Sequence, residues 1–295
     1  MLSAKVIAAM IEGGPRRLSL PEHRQIELYS KRKSLDFDEP VADGTPYAQL
    51  AGAVRAFHTL ETVLAARLFD GEPQTSWSFY TALPRDALAD KLATQLYRIL
   101  RVAKLVLFHP GGQVVCEDGL VKITGVVGPT VMALELTPHG LTLLESAVAF
   151  WALHQHSPYP TAYVEALLAE YFDDIVGEIK RYSDEGRSLY QFRRSRPYCR
   201  HFRLDCDNPK WSFEGDRLVI EIGARFRDPA RCPIDFFLIV DGALHIVPVE
   251  ALDGTGIARA ELAKWRARLG DGQPLPPEFR QRFTHPQNPI NQPMA

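Results

Sequence analysis

The sequence predicts an α+β fold, mainly helical through its first two thirds and closed by a small C-terminal antiparallel sheet capped by a helix. Three observations predict it. Apolar residues recur at three- and four-residue steps from Tyr47 to Phe69, and again after Pro84, around Leu141–Trp151 and over Val164–Ile179. Between the second and third of these stretches lie short β-prone runs punctuated by Gly and Pro. Past residue 216, Arg217–Arg225, Ile234–Val240 and Ala243–Val249 read as strands, with Asp241-Gly242 as a tight hairpin.

Each element has its own signal. Leu50, Val54, Phe57, Leu60, Leu64 and Leu68 make the first long amphipathic helix, which Asp70-Gly71-Glu72-Pro73 ends. A second helix begins at Pro84 and runs through Leu88, Leu92, Leu96, Ile99 and Leu100, with a break expected near Thr94. Leu105–Phe108 and Gln113–Cys116 are β-prone around the turn His109-Pro110-Gly111-Gly112, and Val121–Val127 and Val131–Leu136 follow. Ile257–Leu269 reads as an amphipathic helix with Leu262, Trp265 and Leu269 inward. The expected domains are an N-terminal helical extension over 1–45, with runs at Ala4–Ile11 and Glu22–Lys33, and a helical domain over 46–183. A basic segment with a small sheet domain covers 184–270, and a Pro-rich tail covers 271–295.

Composition narrows the function classes. The 295 residues carry 34 Lys plus Arg against 36 Asp plus Glu, a net charge of −2 that excludes a polybasic whole-chain binder and leaves room for a local basic patch. Hydrophobic residues at 46% supply a core, and four cysteines are too few for a disulfide framework. Lys5 interrupts the only early apolar run and no run reaches the length of a membrane span, so a cytoplasmic protein with no membrane partner is expected.

Helix, helix, β-ribbon, helix is the order of a winged helix-turn-helix. The stretch LELTPHGLTLLESAV, Leu134–Val148, resembles the passage from wing to following helix in MarR-type winged-helix regulators. Upstream, DALADKLATQLYRILRVAKLVLF is similar to the helix pair before such a wing, although the turn lacks a clear Gly and Val114–Val131 has few basic residues. The resemblance covers roughly residues 84–150. It implies a bacterial-type DNA-binding module with Thr94, Gln95, Arg98 and Arg101 on the recognition helix, where Arg and Gln suit base edges and phosphates.

Residues 187–203, RSLYQFRRSRPYCRHFR, hold Arg187, Arg193, Arg194, Arg196, Arg200 and Arg203 and no acid, interleaved with Tyr190, Phe192, Tyr198 and Phe202. Guanidinium forks grip phosphates bidentately, and aromatic faces stack on unpaired bases. The same alternation also fits an edge strand with one wet face, and the acids Glu165, Glu170, Asp173, Asp174 and Glu178 on the preceding helix offer internal partners.

Two metal readings stand beside this one. Cys199, His201, Cys206 and Cys232 have the donor chemistry of a tetrahedral zinc site, but no CxxC accompanies them. Asp235 at a strand start, a hairpin, Glu250 at a strand end and a following helix resemble the core of PD-(D/E)xK nucleases. That resemblance implies two carboxylates holding Mg²⁺ and a lysine beside the second. In Pro248-Val249-Glu250-Ala251-Leu252 no lysine completes the motif, which leaves Lys264 on the next helix as the candidate. No phosphate-binding loop, dinucleotide-binding, serine-hydrolase or zinc-protease motif occurs. The favoured expectation is a nucleic-acid-binding, non-catalytic component of a regulatory, replication or defence system, with no cofactor. The alternatives are an adaptor subunit with protein partners or as a homodimer, and a Mg²⁺-dependent nuclease.

Overall fold

The computed structural model describes residues 26–27, 46–68, 75–156, 158–186, 189, 204–207, 209–229 and 232–266. In chain order the elements are β1 (Ile26–Glu27), α1 (Pro46–Leu68), α2 (Ser76–Ala82), α3 (Leu88–Leu107), β2 (Gln113–Glu117), β3 (Leu120–Val127) and β4 (Thr130–Leu136). There follow α4 (Pro138–His156), α5 (Thr161–Glu178), β5 (Ile179–Ser183), β6 (Leu204–Asp207), β7 (Trp211–Glu214), β8 (Arg217–Ile220), β9 (Ile234–Val240), β10 (Ala243–Pro248) and β11 (Gly256–Ala258). The fold is α+β and forms two compact units, one containing 46–189 and the other 204–266 together with β1. The expected run Ala4–Ile11, the run Glu22–Lys33 apart from Ile26–Glu27, and the tail 271–295 lie outside the described residues.

In the first unit the apolar stripe of α1 becomes the core directly: Leu50, Phe57, Leu60 and Leu64 are buried. Full burial of each such side chain contributes about 1.5–3 kcal/mol. The helix approaches α4 closely at Gly52, where a Cβ would stand 2.3 Å from Glu145 Oε2. Arg55 donates to that carboxylate at 3.1 Å. The short α2 starts from a capping box, in which Thr75 Oγ1 accepts from the Ser78 amide and Ser78 Oγ accepts from the Thr75 amide, both at 3.0 Å.

Helix α3 departs from expectation. It starts at Leu88 rather than Pro84 and runs unbroken past Thr94, whose hydroxyl donates to the Pro84 carbonyl at 3.2 Å. It also absorbs Leu105–Leu107, expected as a strand, because Val102, Ala103 and Val106 extend the buried stripe by another turn. One continuous helix therefore stands where a helix pair was expected.

Strands β2, β3 and β4 form the expected meander, and β5 joins it to give the antiparallel order β2-β3-β4-β5. Asp118-Gly119 turns between β2 and β3 with φ of 53° and 70°. Val121, Ile123, Met132, Leu134 and Leu136 face the core with α3, α4 and α5. At the entry to α4, Thr137 Oγ1 accepts from the Gly140 amide at 3.1 Å and donates to the Glu178 carboxylate at the end of α5.

The second unit has two small sheets. One is mixed, in the order β1-β6-β9-β10, with β1–β6 and β6–β9 parallel and β9–β10 antiparallel. The expected Asp241-Gly242 hairpin joins β9 to β10, with φ of 50° and 75°. The other sheet is antiparallel, in the order β11-β8-β7. Three sequence readings need correction here. Ile26–Glu27, placed in a helix, is a strand paired with Leu204 and Asp205. The strand expected over 217–225 stops at Ile220 and belongs to a different sheet from β9–β10. The helix expected over 257–269 is β11 followed by a 3-10 stretch over Arg259–Trp265, which still buries Leu262 and Trp265.

Candidate functional site

Positions 98 and 101 lie on one face of α3, since residues three apart on a helix are neighbours. That face points inward. Gln95, Arg98 and Arg101 are 6%, 5% and 1% exposed, so these three of the four expected recognition-helix residues are not presented to a duplex. Thr94 is buried as well. The physical reason is a pair of acids at the end of β5. Arg98 donates from Nε to Asp184 Oδ2 and from Nη2 to Asp184 Oδ1, each at 2.6 Å. Arg101 makes a two-pronged pair with Glu185, 2.9 Å from Nη1 to Oε2, and donates from Nε to Ser76 Oγ at 3.1 Å.

Aromatic rings line the two guanidinium groups. Arg98 lies 5.6 Å from the ring centroids of both Tyr80 and Tyr182, and Arg101 lies 5.0 Å from Trp77. Tyr182 donates its hydroxyl proton to Asp184 at 2.7 Å, and the Gly186 amide donates to the other carboxylate oxygen at 2.8 Å. Burial would raise the Asp184 carboxyl, but the hydrogen bonds from Arg98 and Tyr182 outweigh it and hold it below the usual carboxylate range. Burial and the neighbouring Asp184 charge push the Tyr182 hydroxyl well above its ordinary value. Burial opposes the Arg98 charge, yet the Asp184 hydrogen bond raises its pKa and keeps the guanidinium charged. Gly186 fits because a Cβ there would fall 2.4 Å from Arg98 Nη2.

Asp184, Glu185, Gly186, Tyr182, Tyr80 and Trp77 were missed by sequence reasoning. The available signal was the tetrapeptide Ser183-Asp184-Glu185-Gly186, two adjacent acids and a glycine directly before the arginine-rich run. Of that run, Arg187, Tyr190, Arg193, Arg194, Arg196, Tyr198, Arg200 and Arg203 lie outside the described residues, as do Cys199 and His201. The acids Glu165, Glu170, Asp173, Asp174 and Glu178 all stand on α5, with Glu170 buried.

In the second unit, Asp235 sits on β9 opposite Pro248 of β10 and beside Asp205 of β6, and Asp205 in turn is beside Glu27 of β1. Glu250 lies in the 3-10 turn Val249–Ala251 that ends β10. Lys264 is on the 3-10 stretch, where its Nζ is 2.7 Å from Glu261 Oε2. Cys206 is buried on β6, and Cys232 precedes β9. Among the described residues no group of three or more His, Cys, Asp or Glu side chains is arranged to hold a metal ion.

The outer face of the first unit's sheet carries exposed apolar side chains. Val126 and Val131 are directly paired across β3 and β4, Val115 is on β2, and Phe108 follows α3. Among the described residues no helix is long and apolar enough to cross a membrane. No protein-family model, no curated protein and no solved structure matches the chain.

Proposed function

We propose that this chain is a nucleic-acid-binding, non-catalytic component of a cytoplasmic regulatory, replication or defence system, which grips phosphates through the arginine-rich segment Arg187–Arg203. One observation carries the reading: six arginines and four aromatics with no acid in 17 residues, within a chain of net charge −2. The structure adds a supporting detail. Asp184 and Glu185, the acids just before the segment in sequence, are already committed to Arg98 and Arg101 of α3. The winged-helix likeness of residues 84–150 belongs to the same proposal, supported by the order helix, antiparallel ribbon, helix over α3, β2–β4 and α4. In this form it does not depend on Gln95, Arg98 or Arg101. No cofactor is required.

The experiment is a fluorescence-anisotropy titration against single- and double-stranded DNA and RNA at two salt concentrations. Salt-sensitive binding below ~10 μM supports the reading. The preferred strand type distinguishes groove docking from base stacking. Absence of binding to all four overturns it.

A second reading, an adaptor subunit, is favoured by the exposed Val126–Val131 pair and Val115 on the neighbouring strand, since apolar side chains clustered on a sheet face mark contact surfaces. It expects indifference to nucleic acid and a change of oligomeric state on Val126→Glu with Val131→Glu. No observation favours the nuclease reading at Asp235, Glu250 and Lys264.

A further inference from the structure

The second unit contains a cavity that neither reading uses. It lies between the β9–β10 hairpin and the 3-10 stretch, with a volume of about 260 Å³. Val240 and Leu262 give it apolar walls, and its polar groups are Asp241, His245, Arg259 and Arg266. That volume is many times the ~10–15 Å³ one water needs, so a tetrahedral oxyanion fits with solvent around it.

The polar groups make a defined set of donors and one acceptor. Arg259 donates to Asp241 Oδ2 at 3.0 Å and lies 4.7 Å from the Phe213 ring centroid, which fixes its plane and leaves further N–H groups unused. Arg266 is exposed and makes no ion pair among the described residues, while its backbone bridges to His245. The lining thus carries two guanidinium groups and one carboxylate. His245 is buried, and its Nδ1 is 3.1 Å from the Ala243 carbonyl. A carbonyl only accepts, so Nδ1 carries the proton, and in the neutral ring Nε2 is left as an acceptor. Burial, helped by the Arg266 charge, keeps the ring neutral by lowering its pKa.

We propose that this cavity binds the inorganic hydrogen-phosphate anion, whose oxygens accept from Arg259 and Arg266 and whose P–OH donates to His245 Nε2. The acceptor sets the specificity. Sulfate has nearly the same shape and charge, but at neutral pH it has no O–H to offer and would leave the imidazole nitrogen unpaired against its own lone pairs. The proposal is independent of the nucleic-acid reading, because no residue of the arginine-rich segment takes part.

The test uses the full chain with ¹⁵N-labelled histidine, in which the His245 ring resonances are identified by their loss in His245→Gln. Inorganic phosphate, glycerol phosphate and inorganic sulfate are titrated separately at pH 7.5. Phosphate is expected to give a saturable shift of the His245 ring signals, with sulfate about tenfold weaker or more. Arg266→Gln, a change at an exposed side chain, is expected to weaken phosphate by about tenfold while leaving the melting temperature unchanged. Glycerol phosphate, whose second pKa is about 6, is mainly the dianion at this pH and has no P–OH to offer, so it is expected to bind as weakly as sulfate. No saturable shift, equal affinity for phosphate and sulfate, or an unchanged titration in Arg266→Gln overturns it.

Discussion

Arg98 of α3 and Asp184 at the end of β5 are joined by two parallel hydrogen bonds of 2.6 Å, with neither side chain appreciably exposed. A buried pair of this kind contributes less by its attraction than it costs when one partner is removed, because the survivor is left as an uncompensated charge. Asp184→Asn is therefore expected to cost about 3–5 kcal/mol in chemical denaturation. The double variant Arg98→Met with Asp184→Leu is expected to lose distinctly less than the sum of the two single changes. Additive losses would show that the two residues are not coupled.

Two glycines give a contrast in sign. At Gly186 a Cβ would press on Arg98 Nη2, so Gly186→Ala is expected to destabilise by about 1–3 kcal/mol through displacement of the ion pair. At Gly177, on α5, a Cβ meets nothing within 4 Å, and Gly177→Ala is expected to stabilise by roughly 0.5–1 kcal/mol. Thermal melts of the two variants beside the parent chain decide both.

Stability should fall in two steps as pH is lowered. Burial holds His154 and His245 below the ordinary imidazole value, so the unfolded chain binds more protons than the folded one, and stability rises with pH through this range. Their contribution is fully present above the unfolded value of ~6.5 and is lost as pH falls through it toward the lower folded values. Asp184 acts further down: with its folded pKa depressed, its contribution is present above ~3.9 and is lost as pH falls through that lowered value. Urea titrations from pH 8 to pH 3 check this. His245→Gln should flatten the upper step, and Asp184→Asn the lower one.

Arginines that meet phosphate should differ from those that hold the fold. Arg194→Ala with Arg196→Ala is expected to lower the slope of log K against log salt on duplex DNA by about 0.9 per arginine removed. Arg101→Met is expected to change thermal stability and leave that slope alone, because Arg101 is held by Glu185 and Ser76. Equal effects on the slope from both would show that the two groups do not divide in this way.

The sequence was most legible where a periodic pattern and its burial coincide. The stripe Leu50–Leu64 of α1, the apolar positions of α4 and α5, the meander β2–β4 and the Asp241-Gly242 turn all read correctly from local residues. Arg98 and Arg101 read wrongly because their partners lie more than 80 positions later, at Asp184 and Glu185, and a charged helix face without visible partners reads as solvent-facing. Strands β5, β6 and β7 have four or five residues each and owe their pairing to distant neighbours, so no local alternation announced them. The 3-10 stretch kept Leu262 and Trp265 inward, which is why it imitated a helix in the sequence.

The parallel pairing of β1 with β6 has a consequence for how the chain is made. Ile26 is synthesised long before its partner Leu204, with all of α1 to β5 emerging between them. At ~5–20 residues per second the ribosome leaves β1 waiting on the order of ten seconds or more, during which the first unit can already close. Ile26 and Glu27 therefore complete a sheet whose other strands are translated well after them. Removing Ile26–Glu27 would strip a neighbour from β6, opening a backbone edge to unwanted strand pairing.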